Sequence, residues 1–265
     1  MPTALIVEDE PEANRLLAML VRLRGYQTDS AFTGGEALAK AESQPFDIVF
    51  LDLMLPDING YEVCKKLKTE RATSMIPVVM VTARLAAENR YQSYSAGAED
   101  YIPKPYTPDQ IFEAITNADA WRKSLDRHEA AGEFDLGADH DDALKELARL
   151  RGLLMARTSL GPDAVGRVVE LLESLRFDAA AWAEKRRSIP VAMLNYRLEP
   201  GCLTVTITDR AGWLAETGRQ VLDEPQTSLA SAPFDSIVPD VSGRTVTFRR
   251  RFAATDGNGR KAAAD

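Results

Sequence analysis

Cysteine is scarce in this 265-residue chain: Cys64 and Cys202 stand far apart with no paired spacing. That argues against a disulfide framework or a zinc site and suits a reducing compartment. Long apolar runs are missing too, since no stretch reaches the about eighteen residues that a membrane-spanning helix needs. The N-terminus passes from Met1-Pro2-Thr3 straight into a strand-like run, without a basic segment and cleavage site. These absences predict a cytoplasmic protein with no membrane partner. Nor is there a basic excess. The net charge is −8, with 11 Lys+Arg against 18 Asp+Glu in residues 1–121 and 21 against 22 in 122–265. Nucleic-acid binding, which leans on phosphate contacts, is disfavoured by this balance.

What is present is enough for a substantial core. A 45% hydrophobic content over 265 residues fits one large or two ordinary domains. The first half is organised around Phe46 to Gly60. A short apolar run, Ile48-Val49-Phe50-Leu51, ends in Asp52, and the turn residues Pro56, Asp57, Asn59 and Gly60 follow. Such a run bounded by breakers reads as a strand buried on both faces of a parallel sheet. Asp52 then stands at its carboxyl end, the edge at which open α/β sheets bind ligands.

Other runs repeat the theme. Ala4-Leu5-Ile6-Val7 ends in Glu8-Asp9, and Pro77-Val78-Val79-Met80-Val81 ends in Thr82-Ala83. Asp100-Tyr101-Ile102 is followed by Pro103-Lys104-Pro105. Tyr26 to Ala31 reads as a weaker strand. Helical spacing appears in Leu16, Leu17, Leu20, Val21 and Leu23, and again in 35–41, after Gly60, in 86–96 and from Pro108 to about Arg122. Lys65, Lys66 and Lys68 read as a solvated face. Strands alternating with helices imply right-handed crossovers, hence an α/β fold with a doubly wound, five-stranded parallel sheet.

That topology gathers Glu8, Asp9, Asp52, Thr82 and Lys104 at one sheet edge. Crowded carboxylates repel one another unless a cation sits among them, and hard oxygen ligands with open positions suit Mg²⁺. A nucleophilic carboxylate, a metal, a lysine and a hydroxyl are the parts needed for phosphoryl transfer to Asp52. Residues 1–121 resemble the receiver domain of two-component response regulators, of flavodoxin-like fold. The likeness rests on Glu8-Asp9, the D-x-x-x-P pattern from Asp52 to Pro56 followed by Gly60, Thr82-Ala83 and Lys104-Pro105. It implies that Asp52 is the phosphoacceptor, charged by a partner histidine kinase or phosphotransfer protein. It further implies that Glu8, Asp9, Asp52 and the main-chain carbonyl of Met54 hold Mg²⁺, and that Thr82 and Lys104 contact the phosphoryl group. Tyr101 matches the aromatic switch residue, Lys104-Pro105 would be cis, and Met54 and Arg84 occupy positions that modulate phosphoryl loss.

From Arg122 to Asp141 the apolar periodicity stops, so 122–141 reads as an extension of the last helix running into a flexible, charged linker that carries His128 and His140. Residues 142–252 read as a smaller α+β domain. Helices are expected over 143–156, from Pro162, and over 179–187, followed by a hairpin of 191–198 with 203–209. An irregular stretch over 211–241 and a closing strand at 245–252 complete it, and 253–265 is expected to be a disordered tail. The order resembles the ATPase domain of anti-sigma-factor serine kinases, related to the histidine-kinase ATPase. Asp209 and Gly212 fall near that family's adenine-binding loop. Glu170 stands for its catalytic Glu, but Ser174 replaces the Mg²⁺-binding Asn and no glycine-rich lid is present, which implies a degenerate module. Trp182, Trp213, Lys185-Arg186-Arg187 and Arg249-Arg250-Arg251 are candidate contacts for a partner protein.

The expected function is a response regulator, a phosphoprotein rather than an enzyme, in which aspartyl phosphate controls the interaction of the C-terminal domain with a target protein. Dimerisation is compatible with this. Two alternatives stand beside it: a receiver-controlled ATP-dependent protein kinase and a DNA-binding transcription regulator.

Overall fold

The computed structural model describes residues 1–83, 87–125, 130–136, 140–186, 192–214 and 233–253. The chain divides into two units, Met1–Asp126 and Arg127–Asp265.

The first unit runs β1 (Thr3–Val7), α1 (Pro11–Leu23), β2 (Gln27–Ala31), α2 (Gly34–Ser43), β3 (Ile48–Leu51), α3 (Gly60–Thr69), β4 (Val78–Thr82), α4 (Ala87–Ser95), β5 (Asp100–Pro103) and α5 (Pro108–Leu125). The strands pair in parallel in the order β2-β1-β3-β4-β5. Every residue of β3 and β4 is buried, as continuous apolar runs require when both sheet faces are covered. Burying each of their apolar side chains is worth about 1.5–3 kcal/mol. The polar sequence of β2, Gln27 to Ala31, fits its place at the sheet edge. Helix α1 buries Leu17, Leu20 and Val21 but leaves Leu16 and Leu23 exposed. Polar links hold α5: Tyr26 Oη donates to Asp119 at 2.6 Å, Arg24 donates to Thr116 Oγ1 at 3.2 Å, and Arg122 pairs with Asp47 at 2.7 Å. Burial and the Asp119 carboxylate both raise the Tyr26 pKa.

Lys68 departs from the solvated face expected of it. Its side chain is 2% exposed, and Nζ reaches Glu99 Oε1 at 2.5 Å and the carbonyl of Ile76 at 2.7 Å. Glu99 in turn accepts the Val78 N–H at 2.7 Å, and burial raises its pKa against the opposing pull of Lys68. A buried cation needs such partners, and here they tie the end of α3 to the starts of β4 and β5.

The second unit contains β6 (Ala130–Asp135), α6 (His140–Arg157), α7 (Pro162–Arg186), β7 (Ala192–Glu199), β8 (Cys202–Asp209), β9 (Ser236–Pro239) and β10 (Thr245–Arg251). Its strands form an antiparallel sheet in the order β6-β7-β8-β10-β9. Along β7 and β8 burial alternates, with Leu194, Leu198, Leu203, Val205 and Ile207 inside. The outer face shows Glu133, Asn195, Thr206 and Thr247 side by side. Gly201 turns the β7–β8 hairpin at φ +83°, a conformation side chains disfavour. The apolar stripes of α6 and α7 are buried, Leu144, Leu147 and Leu154 on one, Val165, Val168, Leu172 and Leu175 on the other.

Several sequence expectations are corrected here. Within 122–141, α5 extends to Leu125 in keeping with a helix running into the linker, but the edge strand β6 stands in place of a flexible connector and α6 begins at His140. The helices expected from Pro162 and over 179–187 are one, α7. Strand β9 emerges from the stretch read as irregular. Trp182 and Trp213 are buried core residues rather than partner contacts. Arg84, His128, Arg187 and the tail 254–265 lie outside the described residues.

Candidate functional site

Three strand ends build the site. The N–H of Asp52 donates to the carbonyl of Val7 at 2.9 Å and that of Glu8 to the carbonyl of Ala31 at 3.1 Å, so the ends of β1, β2 and β3 are in step. The N–H of Lys104 donates to the carbonyl of Thr82 at 2.8 Å, extending the β4–β5 ladder by one residue. Lys104 is thereby delivered to the same edge. The Lys104-Pro105 bond is cis, as the family resemblance implies.

The side chains converge. Lys104 Nζ donates to Asp52 Oδ2 at 2.6 Å and to Glu8 Oε2. Asp52 Oδ1 accepts the main-chain N–H of Met54 at 3.2 Å. Asp52 and Glu8 are buried and Asp9 is exposed. Oxygens of Glu8, Asp9 and Asp52 all lie within 4.8 Å of one another. Burial raises the Glu8 pKa although Lys104 opposes it, and the Lys104 pKa rises because its bonds to Asp52 and Glu8 outweigh its own desolvation. Lys104 therefore stays charged and neutralises part of the carboxylate cluster.

The donor set fits Mg²⁺. Three carboxylates whose oxygens lie within 4.8 Å of one another are the hard oxygen donors that this cation takes. One exposed carboxylate and two buried ones would leave open positions for water and phosphoryl oxygens.

Thr82 is fully buried at the end of β4. Tyr101 lies opposite Met80 in the β4–β5 register and is 9% exposed, so its ring is already inside. Glu8, Asp9, Asp52 and Lys104 are brought together as the sequence predicted. Asn14 and Asp57 were not singled out. Asn14, buried on α1, donates through Nδ2 to the carbonyls of Glu8 at 3.2 Å and Ile6 at 3.4 Å, and accepts from Ser30 Oγ at 2.6 Å. It holds the end of β1 from beneath. A readable signal existed, because Asn14 shares the apolar stripe of Leu17, Ala18 and Val21 at helical spacing. Asp57 accepts the N–H groups of Gly34 and Gly35 at 2.8 and 2.7 Å.

Asp209, buried at the end of β8, accepts the N–H groups of Ala211, Gly212 and Leu214 at 3.0, 2.8 and 2.9 Å. Its carboxylate is engaged in shaping its own loop. Glu170 and Ser174 lie on the exposed side of α7.

Comparison with known proteins agrees with the first unit. Residues 4–116 match the family model described as response regulator receiver domain. The transcriptional regulatory protein ResD of Bacillus subtilis is 40% identical over 107 residues, 40% of this chain and 43% of that protein. The sensory transduction protein RegX3 of Mycolicibacterium smegmatis is 41% identical over 143 residues, 54% of this chain and 55% of its own. The chain thus spans about half the length of the curated relatives it matches. A solved structure of a CheY-like response regulator receiver domain protein from Methanospirillum hungatei is 32% identical with a TM-score of 0.44, covering 46% of this chain and 98% of that one. Matched by family model over nearly its whole length, with its acidic cluster and lysine at the expected sheet edge, the N-terminal unit is a response regulator receiver domain.

Proposed function

We propose that the chain is a cytoplasmic two-component response regulator in which Asp52 accepts a phosphoryl group from a partner histidine kinase or phosphotransfer protein. The observation that carries this is the placement of Lys104 on both Asp52 and Glu8, beside Asp9. An Asp52 oxygen forms the new P–O bond while the donor's P–N bond breaks and the leaving imidazole nitrogen keeps the electron pair. Glu8, Asp9, Asp52 and the Met54 carbonyl would hold Mg²⁺, which when bound neutralises charge on the transferring oxygens. Lys104 leaves Glu8 for a phosphoryl oxygen, and Thr82 donates its hydroxyl to another. Movement of Thr82 toward that group alters the packing beside Tyr101 on the same sheet face, and the phosphorylated state is favoured by its differential interaction free energy. A small acyl phosphate with Mg²⁺ should label the wild type and not Asp52→Asn. Equal labelling of the two would remove Asp52 as acceptor.

The output is a change in what the second unit binds, with a protein as target and no kinase activity. Support comes from Asp209, whose oxygens serve its own loop, and from the exposure of Glu170 and Ser174. Both fit a degenerate relative of the anti-sigma-factor ATPase domain. Titration of Mg-ATP into the full chain tests this, and micromolar affinity would restore the kinase reading. A second reading is favoured by the relatives' names: RpaA of Synechocystis, 36% identical over 117 residues, is described as a DNA-binding regulator. Against it, the second unit is two long helices with an antiparallel sheet and lacks, among the described residues, a short helix following a tight turn. Salt-sensitive binding of the phosphorylated chain to promoter DNA would support the DNA-binding reading.

A further inference from the structure

Helix α2 begins with two glycines whose N–H groups point out of its first turn. Thr33 caps the helix by accepting the Glu36 N–H at 3.1 Å, and Glu36 reaches back to the Phe32 N–H at 2.9 Å. The N–H groups of Gly34 and Gly35 are taken from outside the helix, one by each Asp57 oxygen. Asp57 belongs to the loop between β3 and α3, the loop that carries Met54. Room for the contact exists only because residue 34 lacks a side chain, since a Cβ there would stand 2.4 Å from Ile58 Cγ1 and 2.7 Å from Val63 Cγ2.

The loop is pinned at its other end as well. The Gly60 N–H donates to the Leu53 carbonyl at 3.1 Å, and the Met54 N–H to Asp52 Oδ1 at 3.2 Å. Met54 stands between these pins and Asp57, with Leu55 and Pro56 the only residues intervening. We propose that Asp57 is a positioning residue that fixes the Met54 main-chain carbonyl for the cation by clamping the phosphoacceptor loop to the start of α2. This rests on the reading of Asp52 and its neighbours as a Mg²⁺-assisted phosphoacceptor site. The hydrogen bonds from Gly35 and Gly34 hold the Asp57 carboxyl well below its ordinary range, at about 2, so the clamp is ionised at any working pH. A carboxylate at a helix N-terminus is also favoured by the helix dipole.

The test is Mg²⁺ binding to the full chain, read by calorimetry and by the Mg²⁺-dependent rise in melting temperature. Wild type, Asp57→Ala and Asp57→Asn are compared, with acyl-phosphate labelling measured across the same Mg²⁺ range. Loss of a group that orients a metal ligand weakens affinity by roughly 10-fold or more. Asp57→Ala should therefore need about 10-fold more Mg²⁺ for half-saturation, Asp57→Asn less, and labelling at saturating Mg²⁺ should return to the wild-type rate. A lower maximal rate at an unchanged Mg²⁺ midpoint, or wild-type affinity in a folded Asp57→Ala, overturns the proposal. If the alanine variant does not fold, the near-isosteric Asp57→Asn decides in the same terms. Absence of Mg²⁺ binding by the wild type instead overturns the underlying site reading, and the proposal with it.

Discussion

Replacing Gly60 with alanine would press a methyl group into the backbone that carries the phosphoacceptor. A Cβ at this position would lie 2.3 Å from the Asp52 carbonyl oxygen, 2.8 Å from Leu53 Cα and 3.0 Å from the Asp52 carbonyl carbon. Comfortable contacts begin at about 3.5 Å, so either β3's end or the start of α3 must retreat by roughly 1 Å. Backbone cannot rotate away as a side chain can. Overpacking of this kind costs about 1–3 kcal/mol. At a urea slope of about 1.5 kcal/mol per molar, the midpoint should fall by roughly 0.7–2 M. A misplacement of about 1 Å at a reacting group can slow chemistry by about 10²-fold, and the acyl-phosphate labelling rate should drop accordingly. Gly166, inside α7 with open space around it, supplies the contrast: there alanine should stabilise by about 0.5–1 kcal/mol. A Gly60→Ala protein with wild-type urea midpoint and wild-type labelling rate would refute the steric argument.

Lys68→Met strips the buried Glu99 of its cation and should destabilise the first unit by about 3–5 kcal/mol, measured by urea unfolding. A loss under about 1 kcal/mol would mean that the pair is not buried as described. Asp57 has a folded pKa depressed from 3.8 to about 2, so its contribution is full above the ordinary carboxylate range and is lost as the pH falls toward 2. Melting temperatures of wild type and Asp57→Asn should differ above about pH 4 and converge near pH 2; a constant gap counts against the clamp. In the second unit, Gly132→Ala would set a Cβ 2.5 Å from the ring of Tyr196, whose hydroxyl donates to Glu146 at 3.2 Å. Hydrogen exchange at β6 should accelerate in that variant, and unchanged protection would show that the ring can yield.

The first unit was legible because its chemistry stands where its hydrophobic pattern stops. Asp52, Glu8-Asp9 and Lys104 each follow a buried apolar run, so strand ends and functional groups could be read together. Lys68 was misread because a lysine in a basic run looks solvated, and only the tertiary partner Glu99 reveals otherwise. Asp57 acts on the backbone of residues 22 and 23 positions away, a relation that periodicity does not carry. In the second unit, β6 reads A-A-G-E-F-D, with little strand propensity. It is a strand because β7 offers it a ladder and Tyr196 covers its glycine. Helix α7 was split in two because its pattern weakens near the run of alanines at 179–181, which suits a helix interior.

The position of β6 governs how the second half of the molecule can be handled in isolation. A fragment begun at residue 142, where sequence periodicity suggests a boundary, discards β6 and the first two residues of α6. Strand β7, eight residues long and buried along one face, then becomes a sheet edge with an open row of N–H and carbonyl groups. Edges of that kind recruit other chains. Self-association seen only in such a fragment would report the missing strand and not an interface of the intact protein, whereas a fragment starting at Arg127 keeps β7 paired with β6.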